Sequence, residues 1–108
     1  MSFELSPVPS PPGAGQKIPV VRVRGEIDVT NAAGLHEALA GMAAEPLIVD
    51  LGSVGYFDSA GFAVLDRLLA QFQVAVVVPP GSVARTAMSL LNLPFYESVD
   101  DARAALDG

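Results

Sequence analysis

Four short stretches of this chain have the apolar pattern expected of β-strands. Residues 20–24 alternate, with valines on one face and arginines on the other, which predicts a half-exposed strand. Residues 47–51 are mainly apolar and residues 74–78 entirely so, which is typical of strands covered on both faces. Residues 3–5 predict a further, very short first strand.

Helical spacing of apolar residues follows these strands. Thr30 or Asn31, Ser82 and Ser98 supply polar side chains at three predicted helix starts, and Asp101 completes a pattern like a capping box after Ser98. The apolar positions predicted to face the core are Leu35, Leu39 and Met42 in the first helix, Leu65, Leu68, Leu69 and Phe72 in the second, and Val83, Ala87, Leu90 and Leu91 in the third. The fourth helix is predicted to run through Leu106.

Strands that alternate with helices predict an α/β fold. We expect a single domain over residues 1–108, with a small, mostly parallel sheet of about four strands and about four helices. Residues 6–19 are rich in proline and glycine, and we expect them to form a flexible segment.

Composition excludes several classes of function. The formal charge is −6 with a single lysine, which argues against nucleic acid and anionic membranes as partners. There is no cysteine, so disulfides and thiolate metal sites are excluded. No signal peptide or membrane-spanning run is evident, and we expect a cytoplasmic protein that does not insert into membranes.

The side chains needed for catalysis are scarce. His36 is the only histidine and falls beside the apolar stripe of its helix, as a surface residue would. Phosphate-binding glycine motifs and a nucleophile elbow are absent. Asp28, Asp50 and Asp58 lie near predicted strand ends, and each is explained as a cap, turn or surface acid. The sequence therefore predicts no enzyme, no cofactor and no metal site.

Ser59 is the side chain that is best placed to be chemically modified. It opens the second helix, where free N–H groups and the helix dipole tolerate negative charge, so it is either a helix cap or a phosphorylation site. At about 100° per residue, Ser59 and Asp66 fall away from the apolar stripe and Phe62 lies at its edge. Phe62 then belongs either to a contact surface or to the core boundary.

Four motifs in order connect these features to a known family. They are G-E-I-D-V-T at residues 25–30, L-I-V-D-L at 47–51, F-D-S-A-G at 57–61 and L-N-L-P-F-Y-E-S-V-D-D-A at 91–102. Together they resemble the STAS domain of anti-sigma factor antagonists, and the resemblance spans residues 18–107.

The resemblance implies a phosphorylation switch. Ser59 corresponds to the regulatory serine, phosphorylated by an anti-sigma factor that is also a serine kinase. The unmodified protein would bind that kinase and release a sigma factor, and a phosphatase would reset the cycle. Asp28 and Asp58 are implied to border the kinase-contact surface.

We therefore predict a surface for partner binding and a monomer or weak dimer. The predicted surface comprises Asp28, Thr30, Asp58, Ser59, Gly61, Phe62 and Asp66. Two alternatives stay open. One is an accessory STAS subunit of a transporter, such as a lipid-transport ABC complex, or of a stress-signalling assembly without a kinase cycle. The other is a small enzyme with Ser59 as nucleophile, which the lack of a nearby base disfavours.

Overall fold

Strands and helices alternate along most of the chain, as the apolar pattern predicts. The computed structural model describes residues 2–9 and 18–107. The elements are, in chain order, β1 (Phe3–Val8), β2 (Val20–Ile27), α1 (Ala32–Met42), β3 (Leu47–Phe57), α2 (Ser59–Gln71), β4 (Val74–Val77), α3 (Arg85–Leu90) and α4 (Val99–Asp107).

The strands form one mixed sheet in the order β1-β2-β3-β4. Strand β1 pairs antiparallel with β2, whereas the β2–β3 and β3–β4 pairs are parallel. The predicted α/β domain with a small, mostly parallel sheet is therefore confirmed. None of the helices within residues 2–9 and 18–107 is long and apolar enough to cross a membrane.

Alternation along the strands supplies apolar side chains to both faces of the sheet. The larger cluster lies under α1, α2 and α3, and its most enclosed members include Val23, Val49, Val76, Leu35, Leu39, Leu65, Leu68 and Met88. The smaller cluster lies under α4 and contains Val20, Ile48, Ala75, Val77 and Ala102. The second helix therefore rests on the larger cluster, which fixes the position of its first residue, Ser59.

Strand β3 is longer than the sequence predicts. The apolar pattern predicts a strand that ends at residue 51, but β3 continues to Phe57 because the following residues keep pairing with β2. The register shifts between the partners of Arg22 and Arg24, and the N–H of Gly52 donates to Asp50 Oδ1 at 2.8 Å beside that shift. Sheet pairing thus overrides the local turn preference of glycine and serine.

Strand β1 is also longer than predicted. It extends through Val8, so residues 6–8 are not part of a flexible segment. Pro7 is tolerated because β1 is an edge strand, where one side of the backbone needs no partner. At the other end of the segment, the carbonyl oxygen of Pro19 accepts from the N–H of Ile48 at 3.0 Å. Residues 10–17, where flexibility was also predicted, lie outside the described residues.

Two helices differ from their predicted inner faces. Helix α3 begins at Arg85 instead of directly after Ser82, and the face that it turns inward is not the predicted one. Its neighbour Ala84 and its own Met88 are buried, a spacing of four residues that puts both on one side. The predicted core positions that are instead exposed are Met42, Val83, Leu90 and Leu91.

Candidate functional site

Two loops meet at the carboxyl ends of β2 and β3. Ile27 and Phe57 are opposite each other in the parallel ladder, and the N–H of Asp58 donates to the carbonyl oxygen of Ile27 at 3.2 Å. Asp28 and Asp58, the residues that follow this pair, therefore lie side by side where the chain leaves the sheet. The carboxyl ends of parallel strands are where α/β proteins place their ligand sites.

Asp58, and not Ser59, caps helix α2. Its backbone is extended, and its carboxylate accepts from the N–H groups of Ala60 at 2.9 Å and Gly61 at 3.4 Å. Ser59 is the first helical residue and is exposed. Of the two roles open to Ser59 from the sequence, helix capping is therefore taken by its neighbour, and the serine hydroxyl is left at the surface.

Gly61 and Phe62 hold the start of α2 against the end of β3. A Cβ at Gly61 would lie 2.6 Å from Cε2 of Phe57, so only glycine lets that ring approach the helix. The Phe57 and Phe62 rings meet edge to face, with centroids 4.7 Å apart. Phe62 is 6% exposed, which places it at the core boundary, so it adds little area to an open contact surface.

Asp28 begins a turn that is braced by side chains. The hydroxyl and the N–H of Thr30 both donate to Asp28 Oδ1, and the N–H of Asp28 donates to Asn31 Oδ1 at 2.9 Å. The Thr30 hydroxyl is the main cause that lowers the pKa of Asp28 below its ordinary value of 3.8. A carboxylate held in its ionised form therefore lies beside the start of α2.

An open groove runs between α2 and the segment after α3. Its volume is about 320 Å³. The residues that line it are Ser59, Phe62, Ala63, Asp66, Leu91 and Leu93. Asp66 is exposed, so the rim of the groove carries an acid as well as the Ser59 hydroxyl.

Leu91 and Leu93 were not predicted as site residues. Asn92 has a positive φ of 59°, and the N–H of Leu93 donates to the carbonyl oxygen of Met88 at 2.9 Å. The N–H of Asn92 donates to Ser89 in the same way, which completes a Schellman motif at the end of α3. The sequence signal for this turn is Asn92 followed by Leu93 and Pro94. This pattern predicts where α3 ends, but it does not predict that the leucines on either side of Asn92 line the groove.

The charge around Ser59 is negative. Asp28, Asp58 and Asp66 lie in the two loops and on α2, and no lysine or arginine occurs between residues 25 and 66. Within the described ranges, no three potential ligand side chains converge to hold a metal ion. His36 lies on α1 and is not among the described residues that line the groove. The arrangement is suited to binding a partner that is apolar and basic.

Comparison with known proteins identifies the family. The sequence profile of the STAS domain matches residues 13–102. The chain belongs to the STAS domain family. The resemblance carried by the four sequence motifs is thereby confirmed.

Relatives of this STAS domain include anti-sigma factor antagonists. It is 30% identical over 101 residues to the anti-sigma-F factor antagonist RsfB of Mycobacterium tuberculosis, covering 84% of this chain and 83% of the relative. The crystal structure of an anti-sigma factor antagonist from Mycobacterium paratuberculosis has a TM-score of 0.81 and 25% identity, covering 99% of this chain and 96% of that one. The anti-sigma factor antagonist SpoIIAA in its unphosphorylated form shares the fold, with a TM-score of 0.64, 17% identity, and coverage of 99% of this chain and 97% of its own.

Proposed function

We propose that this STAS domain is an anti-sigma factor antagonist that is switched by phosphorylation of Ser59. In its unmodified form it binds an anti-sigma factor that is also a serine kinase, and so releases a sigma factor. The kinase phosphorylates Ser59 and ends the interaction, and a phosphatase restores the binding form. Similarity to RsfB and to the mycobacterial antagonist of known structure supports this role.

The single observation that supports the proposal most directly is that Asp58 caps helix α2 and leaves the Ser59 hydroxyl exposed. Because Asp58 supplies the helix cap, modification of the exposed Ser59 hydroxyl removes no hydrogen bond on which α2 depends. A kinase can therefore reach the hydroxyl without local unfolding. The phosphate would enter at the positive end of the helix dipole, which offsets its repulsion by the neighbouring Asp58.

The effect of the phosphate is expected at the partner interface. It adds about −1.5 to −2 charges at neutral pH, at the rim of a groove whose other charged member is Asp66. No lysine or arginine lies within residues 25–66 to neutralise it. Burying an unpaired dianion in a packed contact would cost on the order of 3–5 kcal/mol, which corresponds to roughly two to three decades of affinity.

The proposal is tested by affinity capture and phosphorylation. Wild-type, Ser59→Ala and Ser59→Glu proteins serve as baits in lysate of the source organism, and captured ATP-binding kinases are purified and assayed with ATP. Thr86→Glu is the matched control, since it adds the same charge at an exposed position in the first turn of α3 that does not line the groove.

The expected result is a kinase that binds the wild-type, Ser59→Ala and Thr86→Glu proteins and phosphorylates Ser59. Binding to Ser59→Glu should be weaker by about two decades. Capture of a transporter ATPase in place of such a kinase, or equal binding to the two Glu variants, would exclude the switch.

A further inference from the structure

A large apolar side chain stands at the tip of the turn after β2. Val29 is 77% exposed, although its neighbours in the turn are tied down by hydrogen bonds. The N–H of Thr30 donates to Asp28 Oδ1 at 2.9 Å, and Asn31 Nδ2 donates to the carbonyl oxygen of Glu26 at 2.8 Å. Isolated exposed apolar residues are common on protein surfaces, but the turn that carries this one is held by several hydrogen bonds.

The Val29 turn is continuous with the Ser59 surface. The bond from the N–H of Asp58 to Ile27 joins the two loops, and their strands are neighbours in the sheet, about 4.8 Å apart. A specific interface covers about 800 Å² on each partner, which is more area than the groove beside Ser59 offers. The contact must therefore extend beyond the groove, and the braced turn is the adjoining surface that needs no ordering on binding.

We infer that Val29 is an apolar anchor for the anti-sigma factor, and that it enters an apolar recess bordered by a basic side chain. The inference rests on the proposed function and adds a second contact point to it. The chemistry of the recess follows from the neighbours of Val29, because Asp28 presents a carboxylate that forms no ion pair with another described side chain. A basic group on the partner would complement that carboxylate.

The test measures the affinity of the purified Ser59 kinase for unphosphorylated variants by titration calorimetry. Val29→Ala should bind about tenfold more weakly than wild type and Val29→Asp about a hundredfold more weakly. Val29→Leu should bind within about threefold of wild type, because it keeps the apolar side chain. Val83→Ala and Val83→Asp are matched controls at a valine that is 56% exposed and does not line the groove, and both should bind like wild type.

Two further readouts separate binding from folding and from the switch. Thermal unfolding of all Val29 variants should match that of the Val83 variants, since both side chains are mainly exposed. Added salt should weaken the binding of the wild-type protein more steeply than that of Asp28→Asn. If affinity depends on salt equally in both, Asp28 does not pair with a basic side chain of the partner. If Val29→Asp binds as well as Val83→Asp, the anchor is overturned. Failure of the Ser59→Glu comparison would instead overturn the switch and leave this comparison intact.

Discussion

The N–H of Asp58 donates to the carbonyl oxygen of Ile27 at 3.2 Å, one residue beyond the last paired position of β3. This bond continues the backbone hydrogen bonding between β2 and β3 by one residue, into the loops that follow the two strands. It places the Asp28 turn beside the first turn of α2, although the two are 30 residues apart in the chain. The Asp28 turn is therefore joined by a backbone hydrogen bond to the residue that caps α2, beside Ser59.

Replacement of Gly61 by alanine should destabilise the domain. The added Cβ would lie 2.6 Å from the Phe57 ring, which is buried and packed against Phe62, so the ring or the helix must move. We expect a loss of about 1–2 kcal/mol in the free energy of unfolding, measured by urea titration with circular dichroism. Gly34→Ala is the matched control, because Gly34 is the third residue of α1 as Gly61 is of α2 and has open space around it. That substitution should stabilise by about 0.5–1 kcal/mol, and equal effects at the two glycines would contradict the packing argument.

Removal of the Asp58 carboxylate should cost stability because helix α2 loses its cap. Asp58→Ala leaves the N–H groups of Ala60 and Gly61 without the carboxylate oxygen and should lower the free energy of unfolding by about 1 kcal/mol. Asp58→Asn keeps an oxygen at the same place and should cost a few tenths of that amount. Urea titration distinguishes the two, and a stable Asp58→Ala protein would mean that Ser59 or water replaces the cap.

The fold could be predicted from the sequence wherever the apolar period was long and regular. The strands at residues 20–24 and 74–78, and the stripe of Leu65 and Leu68 in α2, are in their expected places because burial of those side chains decides the structure. The predictions were wrong where tertiary pairing decides it. The extension of β3 depends on β2 as a partner, which no local turn preference can report.

The candidate site was predictable in part for a similar reason. The position of Ser59 follows from a local strand–helix junction and was predicted correctly as exposed. The identity of the cap was not decided, because aspartate and serine are equally good caps and the choice depends on a one-residue difference in the helix start. Leu91 and Leu93 line the groove beside the Schellman turn at the end of α3, and the apolar spacing alone does not show the direction of that turn.

The pKa of Asp28 should depend on the hydroxyl of Thr30. The Thr30 hydroxyl stabilises the ionised carboxylate, so Thr30→Val should raise the pKa of Asp28 toward the ordinary value of 3.8, while Thr30→Ser should keep it low. Because the folded pKa lies below the unfolded one, the ionised group stabilises the fold above the unfolded pKa. That contribution is lost as the pH falls through the folded pKa. Carboxyl carbon NMR between pH 2 and pH 6 measures the shift, and the same Asp28 pKa in Thr30→Val would contradict the assignment.

Asn92 should control both the end of α3 and the groove beside Ser59. Its φ of 59° lies in the left-handed region, which asparagine and glycine adopt more readily than other residues. Asn92→Val should lower the free energy of unfolding by about 1–2 kcal/mol, whereas Asn92→Gly should leave it nearly unchanged or slightly higher. Because Leu91 and Leu93 flank this residue and line the groove, Asn92→Val should also weaken binding of the Ser59 kinase while Asn92→Gly does not. Urea titration and calorimetry on the two variants provide the measurements. If Asn92→Val loses stability yet binds the kinase as tightly as Asn92→Gly, the leucines of the groove are not part of the interface.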